Sequence, residues 1–161
     1  MALFYDGLPC TLCGEEMTNA DQLFSTSHFL GPDSDLWEYS DAIMPWDCDA
    51  RWEHQARFGQ MYFEANRQCS DQNGPWGVAH SDDQLMVKTS PDKHVGEVDV
   101  MLARTGSGFR VCLADGEDWL TGECFGDYHH EIASEELTAI LPLLRSRFQL
   151  RRLLSLRLAW I

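Results

Sequence analysis

A chain of 161 residues, 44% of them hydrophobic, can bury one ordinary core; it holds no run of about 18 apolar residues to span a bilayer and opens without the basic and apolar regions of a secretory leader. Its 26 acidic residues outnumber 12 basic ones, for a net charge of −14, which argues against nucleic acid as a partner because phosphate binding draws on Lys and Arg. Six cysteines in so apolar a chain read as reduced thiols and not as disulfide staples, and a cytoplasmic location suits them.

In chain order, Met1 to Tyr5 is an apolar start that predicts a short strand leading into Pro9-Cys10-Thr11-Leu12-Cys13-Gly14. Glu15 to Thr26 alternates loosely and is interrupted by Asn19-Ala20-Asp21, which suits a hairpin. Gly31-Pro32-Asp33-Ser34-Asp35 is a loop by composition. From Pro45 or Asp47 a single long helix is expected to run to about Arg67, because Trp52, Ala56, Gly59 and Phe63 recur at helical spacing beside Phe58, Met61, Tyr62 and Ala65. So wide an apolar face requires packing on two sides. Ser70 to Gly77, with Asn73-Gly74-Pro75, ends that helix and divides a 1–70 lobe from a 71–161 lobe, the two expected to form one compact unit.

Beyond Val78 the period becomes alternating. Strands are predicted at Gln84 to Thr89, Val98 to Arg104 and Phe109 to Leu113, the last two joined by the turn Thr105-Gly106-Ser107-Gly108 into a hairpin of an antiparallel sheet. Asp115 to Asp127 is an acidic, glycine-rich loop holding Trp119. Ser134 caps a helix that Pro142 interrupts, and Leu150, Leu153, Leu154, Leu158 and Ile161 make an amphipathic tail. Residues 137 to 161 contain five arginines and no acid, so the basic tail is expected to dock on the acidic body, to mediate a homodimer or to lie on a membrane surface. The fold class that results is α+β: a small zinc-knuckle or treble-clef-like N-terminal lobe with a long helix, then an antiparallel sheet backed by C-terminal helices.

The chemistry concentrates in the cysteines. Two thiols two residues apart, followed by glycine, can turn both sulfurs onto one ion, and Cys48, in the first turn of the expected helix, is the third donor, where a helix dipole lowers a thiol pKa. Zinc takes four ligands; His28, His54 and Cys69 are the candidates for the fourth. The alternatives for the CxxC are buried inert thiols or a redox pair.

The CxxCG and the block Asp41-Ala42-Ile43-Met44-Pro45-Trp46-Asp47-Cys48 resemble a loose group of small bacterial proteins in which CxxCG precedes Asp-Ala-x-x-His-x-x-Cys and a Trp- and Phe-rich helix. The histidine of that pattern is Pro45 here, which cannot bind a metal. The resemblance covers about the first 70 residues and implies a treble-clef-like site but no activity.

A second cluster, Cys124 with His129 and His130, could hold a metal or supply a base; neighbouring histidines on a strand point to opposite faces, so one at most would join Cys124. No GxSxG, HExxH or P-loop is present. The expected function is therefore a non-enzymatic, acidic protein-binding module with a structural zinc, such as an immunity or inhibitor protein against a basic toxin or enzyme, with Trp119 an interface anchor. The alternative is a metal-dependent or thiol enzyme using Cys124, His129 or His130.

Overall fold

The chain first turns back on itself around the CxxC. In the computed structural model, which describes residues 3–19, 23–71, 77–89 and 97–112, the Met17 N–H donates to the Leu8 carbonyl at 2.9 Å, and the Cys10 N–H to the Glu15 carbonyl at 2.8 Å. Pro9 and Glu16 form an antiparallel bridge. Gly14 closes the turn at φ 79°, a left-handed conformation costly to any residue with a Cβ.

The start of the chain departs from its sequence pattern in two places. Leu3 to Tyr5 is not a strand, and Leu3 and Tyr5 are 80% and 61% exposed; apolar composition makes no strand without a pairing edge. Nor do the described residues among 15 to 26 pair with one another. Glu16 pairs back to Pro9, and the segment Leu23–Ser25 (β1) joins Ile43–Pro45 (β2) in an antiparallel pair with Phe24 opposite Met44. Both of those side chains are buried, so removing their surface from water selects the distant partner over the near one.

The connection from β1 to β2 contains the turn expected after Gly31 and a single 3-10 turn, Trp37–Tyr39. Buried Ser40 organises it: its Oγ accepts the N–H of Phe29 at 2.8 Å and of Leu30 at 3.1 Å. Asp41 then adopts φ 63°, a conformation tolerated better by Asp than by most residues. Ser40→Ala strands two amide donors and is expected to cost about 2 kcal/mol, checked by urea titration, whereas Ser40→Thr, which keeps the oxygen, should cost less.

The single helix expected from Pro45 to Arg67 is two. Trp46–Arg51 (α1) ends at Trp52, which is extended (φ −72°, ψ 128°) and bonds its N–H to the Asp49 carbonyl; Gln55–Asp71 (α2) follows. The cause is tertiary. Trp52 lies with its ring centroid 4.5 Å from that of Tyr39 and 5.2 Å from that of Phe58, contacts a continuous helix would have to give up.

Gly77–Ser81 (β3), Leu85–Thr89 (β4), Glu97–Leu102 (β5) and Gly108–Cys112 (β6) form an antiparallel sheet in the order β3-β4-β5-β6. The predicted hairpin between β5 and β6 is present, with Val98 opposite Val111 and Met101 opposite Gly108. β3 is the fourth strand that the alternating period from Val78 leaves room for without placing, since Gly77 and His80 weaken its pattern. Asp82 makes it possible: its Oδ1 accepts the N–H of Gln84 at 2.8 Å and of Leu85 at 3.0 Å, fixing the turn into β4.

α2 is packed on two sides, as its wide apolar face requires. Phe58 completes a core with Met17, Phe24, Leu36, Met44 and Trp46, while Phe63 completes another with Met86, Met101 and Ala103, and Tyr62 touches both. Ala56, expected on the apolar face, is exposed instead: it is the second residue of α2 and lies two positions, about 200° round an ideal helix, from buried Phe58. Gly59 meets the backbone of Thr105 in the turn before β6, where an added Cβ would lie 2.4 Å from the carbonyl carbon.

The architecture is α+β, with the cysteine-bearing hairpin at its N-terminal end. No helix among the described residues is long and apolar enough to cross a membrane. The expected C-terminal helices and basic tail, Trp119, and the Cys124, His129 and His130 cluster lie outside the described residues, as do 72–76 of the expected inter-lobe boundary.

Candidate metal centre

Three separate features of the chain bring three sulfurs together. The hairpin from Leu8 to Met17 carries Cys10 and Cys13 on one tight turn, and the β1–β2 pair feeds α1, whose third residue is Cys48. Trp46, buried with its ring centroid 4.9 Å from that of Phe24, holds the start of α1 against that strand pair. The result is that the Sγ atoms of Cys10, Cys13 and Cys48 all lie within 4.8 Å of one another, with 3.6 Å between those of Cys13 and Cys48. Sulfurs at two corners of a zinc tetrahedron with bonds of about 2.3 Å stand about 3.8 Å apart, so the spacing fits a shared ion.

The three differ in environment. Cys10 is buried, 3% exposed, and its Sγ accepts the Leu12 N–H at 3.3 Å. Cys13 is exposed and Cys48 half-buried. The Cys13 thiol is held below its ordinary value, mainly by the hydrogen bond from the Glu15 backbone N–H, with smaller contributions from Cys48 and Cys10. Cys48 is pushed up to about 12, first by burial and then by the neighbouring sulfurs. Position in a first helical turn was expected to lower it. The correction has a clear cause: six residues make a short α1, and desolvation beside two other sulfur atoms outweighs it.

Such a set could hold a cation. A metal bound there would hold all three sulfurs as thiolates, because a coordinating ion deprotonates each thiol outright. In sequence, residues 1 to 50 contain ten acidic side chains and no Lys or Arg.

The proposed fourth donors are placed elsewhere. His28 sits in an exposed bend after β1, Cys69 is exposed near the end of α2, and none of His28, His54 and Cys69 belongs to the sulfur cluster. His54 stacks edge-on to Trp52, with ring centroids 5.7 Å apart, and its Nε2 lies 3.8 Å from a Glu53 carboxylate oxygen. The break at Trp52 carries it off the helix that presents Cys48.

One feature escaped sequence reasoning. Between β1, α2 and the sheet lies a cleft of about 260 Å³, lined by Phe24, Tyr62, Asn66, Lys88 and Asp99 among others. Burial holds the Lys88 ammonium below its ordinary value, although Asp99, its register partner on β5, opposes that shift. Strand alternation alone could not distinguish a lysine facing a cleft from one facing solvent.

No family model, curated protein or solved structure matches the chain.

Proposed function

We propose that Cys10, Cys13 and Cys48 bind one structural zinc ion in a treble-clef-like arrangement, and that the lobe so fixed serves as a protein-binding module for a basic partner, with no catalytic step of its own. The convergence of the three sulfurs is the observation that carries this reading, since it ties a hairpin and a helix that would otherwise meet only through side-chain packing. The likeness of the CxxCG and the Asp41 to Cys48 block to small bacterial proteins points the same way. Four described cysteines, Cys10, Cys13, Cys48 and Cys69, are free thiols, which suits a reducing cytoplasm.

The choice of a basic partner rests on charge. With a net charge of −14, and with Asp6, Glu15, Glu16, Asp33, Glu38, Asp41 and Asp47 all exposed on the N-terminal lobe, complementary charge would steer association with a cationic surface. An immunity or inhibitor protein covering the basic active site of a toxin or enzyme uses that chemistry. Trp37, 46% exposed beside Glu38, supplies an aromatic contact on the same lobe.

Affinity capture from the source cells, with the zinc-loaded chain as bait, tests the reading. A partner of high isoelectric point should be retained at low salt and released as ionic strength rises, because screening shortens the reach of surface charge to about 3 Å at 1 M salt. Retention of nothing at low salt, or of a partner indifferent to salt, contradicts it.

A further inference from the structure

The sequence offers Cys10 and Cys13 as an oxidisable pair, two residues apart. The structure ranks the pairs differently. Cys10 lies at the bottom of the cluster, 3% exposed, with its sulfur already accepting the Leu12 N–H. Cys13 is exposed, Cys48 is half-buried, and their sulfurs are 3.6 Å apart with no group between them among the described residues. A disulfide bond of about 2.05 Å needs that gap closed by about 1.5 Å, a change within reach of side-chain rotation on a surface hairpin. The two residues belong to different elements, one on the N-terminal hairpin and one on α1.

We propose that Cys13 and Cys48, rather than the two cysteines of the CxxC, form the pair that a peroxide oxidises to a disulfide, and that forming this bond expels the metal. The inference rests on the zinc reading for its second half and on geometry alone for its first. In the reaction the Cys13 sulfur attacks one peroxide oxygen, the O–O bond breaks, and Cys13 becomes a sulfenic acid. The Cys48 sulfur then attacks the Cys13 sulfur, the S–S bond forms and the S–OH bond breaks. Two electrons pass from the sulfurs to the peroxide, which leaves as two waters. When both sulfurs start as metal-bound thiolates, solvent supplies the two protons, and the ion keeps Cys10 as its single ligand from the cluster, too few to hold it.

The oxidised protein would not fall apart at this point. The new bond joins the same two elements as the ion did, closing a loop between positions 35 apart in sequence, so the hairpin stays attached to α1 while the ion departs. The site would thus exchange one cross-link for another and report peroxide by losing its metal.

The test treats the purified full chain with hydrogen peroxide in slight excess. Released zinc is followed with a chromogenic chelator, and disulfides are mapped by mass spectrometry. No Lys or Arg precedes Arg51, so trypsin leaves all three cysteines on one peptide; a protease cutting at acidic residues is needed, with fragment ions between Cys10 and Cys13 to assign the link. The expected result is a Cys13–Cys48 disulfide appearing in step with zinc release and reversed by a thiol reductant. A Cys10–Cys13 link, a link through Cys69 or Cys124, or over-oxidation of Cys13 without any link overturns the proposal. In Cys48→Ser, dimedone should trap a sulfenic acid at Cys13, and an unlabelled Cys13 in folded variant also counts against it. Should the chain purify without zinc, the metal reading fails, yet the peptide map of the metal-free protein still decides which pair oxidises.

Discussion

Stripping the metal with a strong chelator is expected to lower the melting temperature of the protein by roughly 10 °C. An ion that binds the folded but not the unfolded chain adds about 4 kcal/mol when its free concentration is a thousand times Kd, and for a domain of this size each kcal/mol corresponds to about 2–4 °C. The effect should be local in origin. The hairpin of Leu8 to Met17 buries Cys10 and Met17 in the N-terminal core, and a shared ion would fasten it to Cys48 on α1 beyond that packing and the 3.6 Å contact between the Cys13 and Cys48 sulfurs. Cys48→Ser should reproduce the loss and abolish the response to chelator. Cys69→Ser is the control: that thiol is exposed and outside the cluster, so its change should leave both melting temperature and metal content alone. Differential scanning calorimetry with and without added zinc reads all three.

Gly59→Ala is the second large effect, expected to cost about 3 kcal/mol or more. An alanine Cβ there would lie 2.4, 2.6 and 2.8 Å from the carbonyl carbon, carbonyl oxygen and Cα of Thr105. All are backbone atoms, so no side chain can swing aside, and α2 or the turn before β6 must move. Gly106 meets the same contact from the other side, 2.9 Å from the Gly59 backbone were it given a Cβ, and its φ of 70° adds a backbone penalty. On an exposed helix surface the same exchange would stabilise, since alanine is the better helix former. The sign of the change therefore decides whether α2 and the turn touch as described. Chemical denaturation reads it directly, and the metal site, which shares no atoms with the contact, should keep its zinc in whatever fraction remains folded.

Local chemistry was readable from the sequence where it depended on neighbours in the chain. The CxxC turn with its glycine, the loop after Gly31 and the hairpin through Thr105 to Gly108 all follow from residues a few positions apart, and the structure places each where the pattern does. Cys48 as a companion to Cys10 and Cys13 was also legible, because it falls in the first turn of an expected helix, where a treble-clef-like site takes a ligand, and the structure brings its sulfur to theirs. What escaped depends on partners far along the chain. Trp52 fits a helical repeat whether it lies inside a helix or, as here, one position beyond it with its ring against Tyr39. β1 and β2 are three residues each and exist through the burial of Phe24 and Met44, not through propensity. Gly59 read as one more member of an apolar stripe, whereas its real role, close approach to another backbone, leaves no trace in periodicity.

The central claim is that three sulfurs hold one ion, and elemental analysis of the protein purified without added metal or chelator tests it most directly. About one zinc per chain is predicted, falling to near zero in Cys48→Ser while the Cys69→Ser variant keeps its full complement. A wild-type protein that folds with no bound metal, and whose Cys10, Cys13 and Cys48 all react freely with a thiol reagent, would contradict the account.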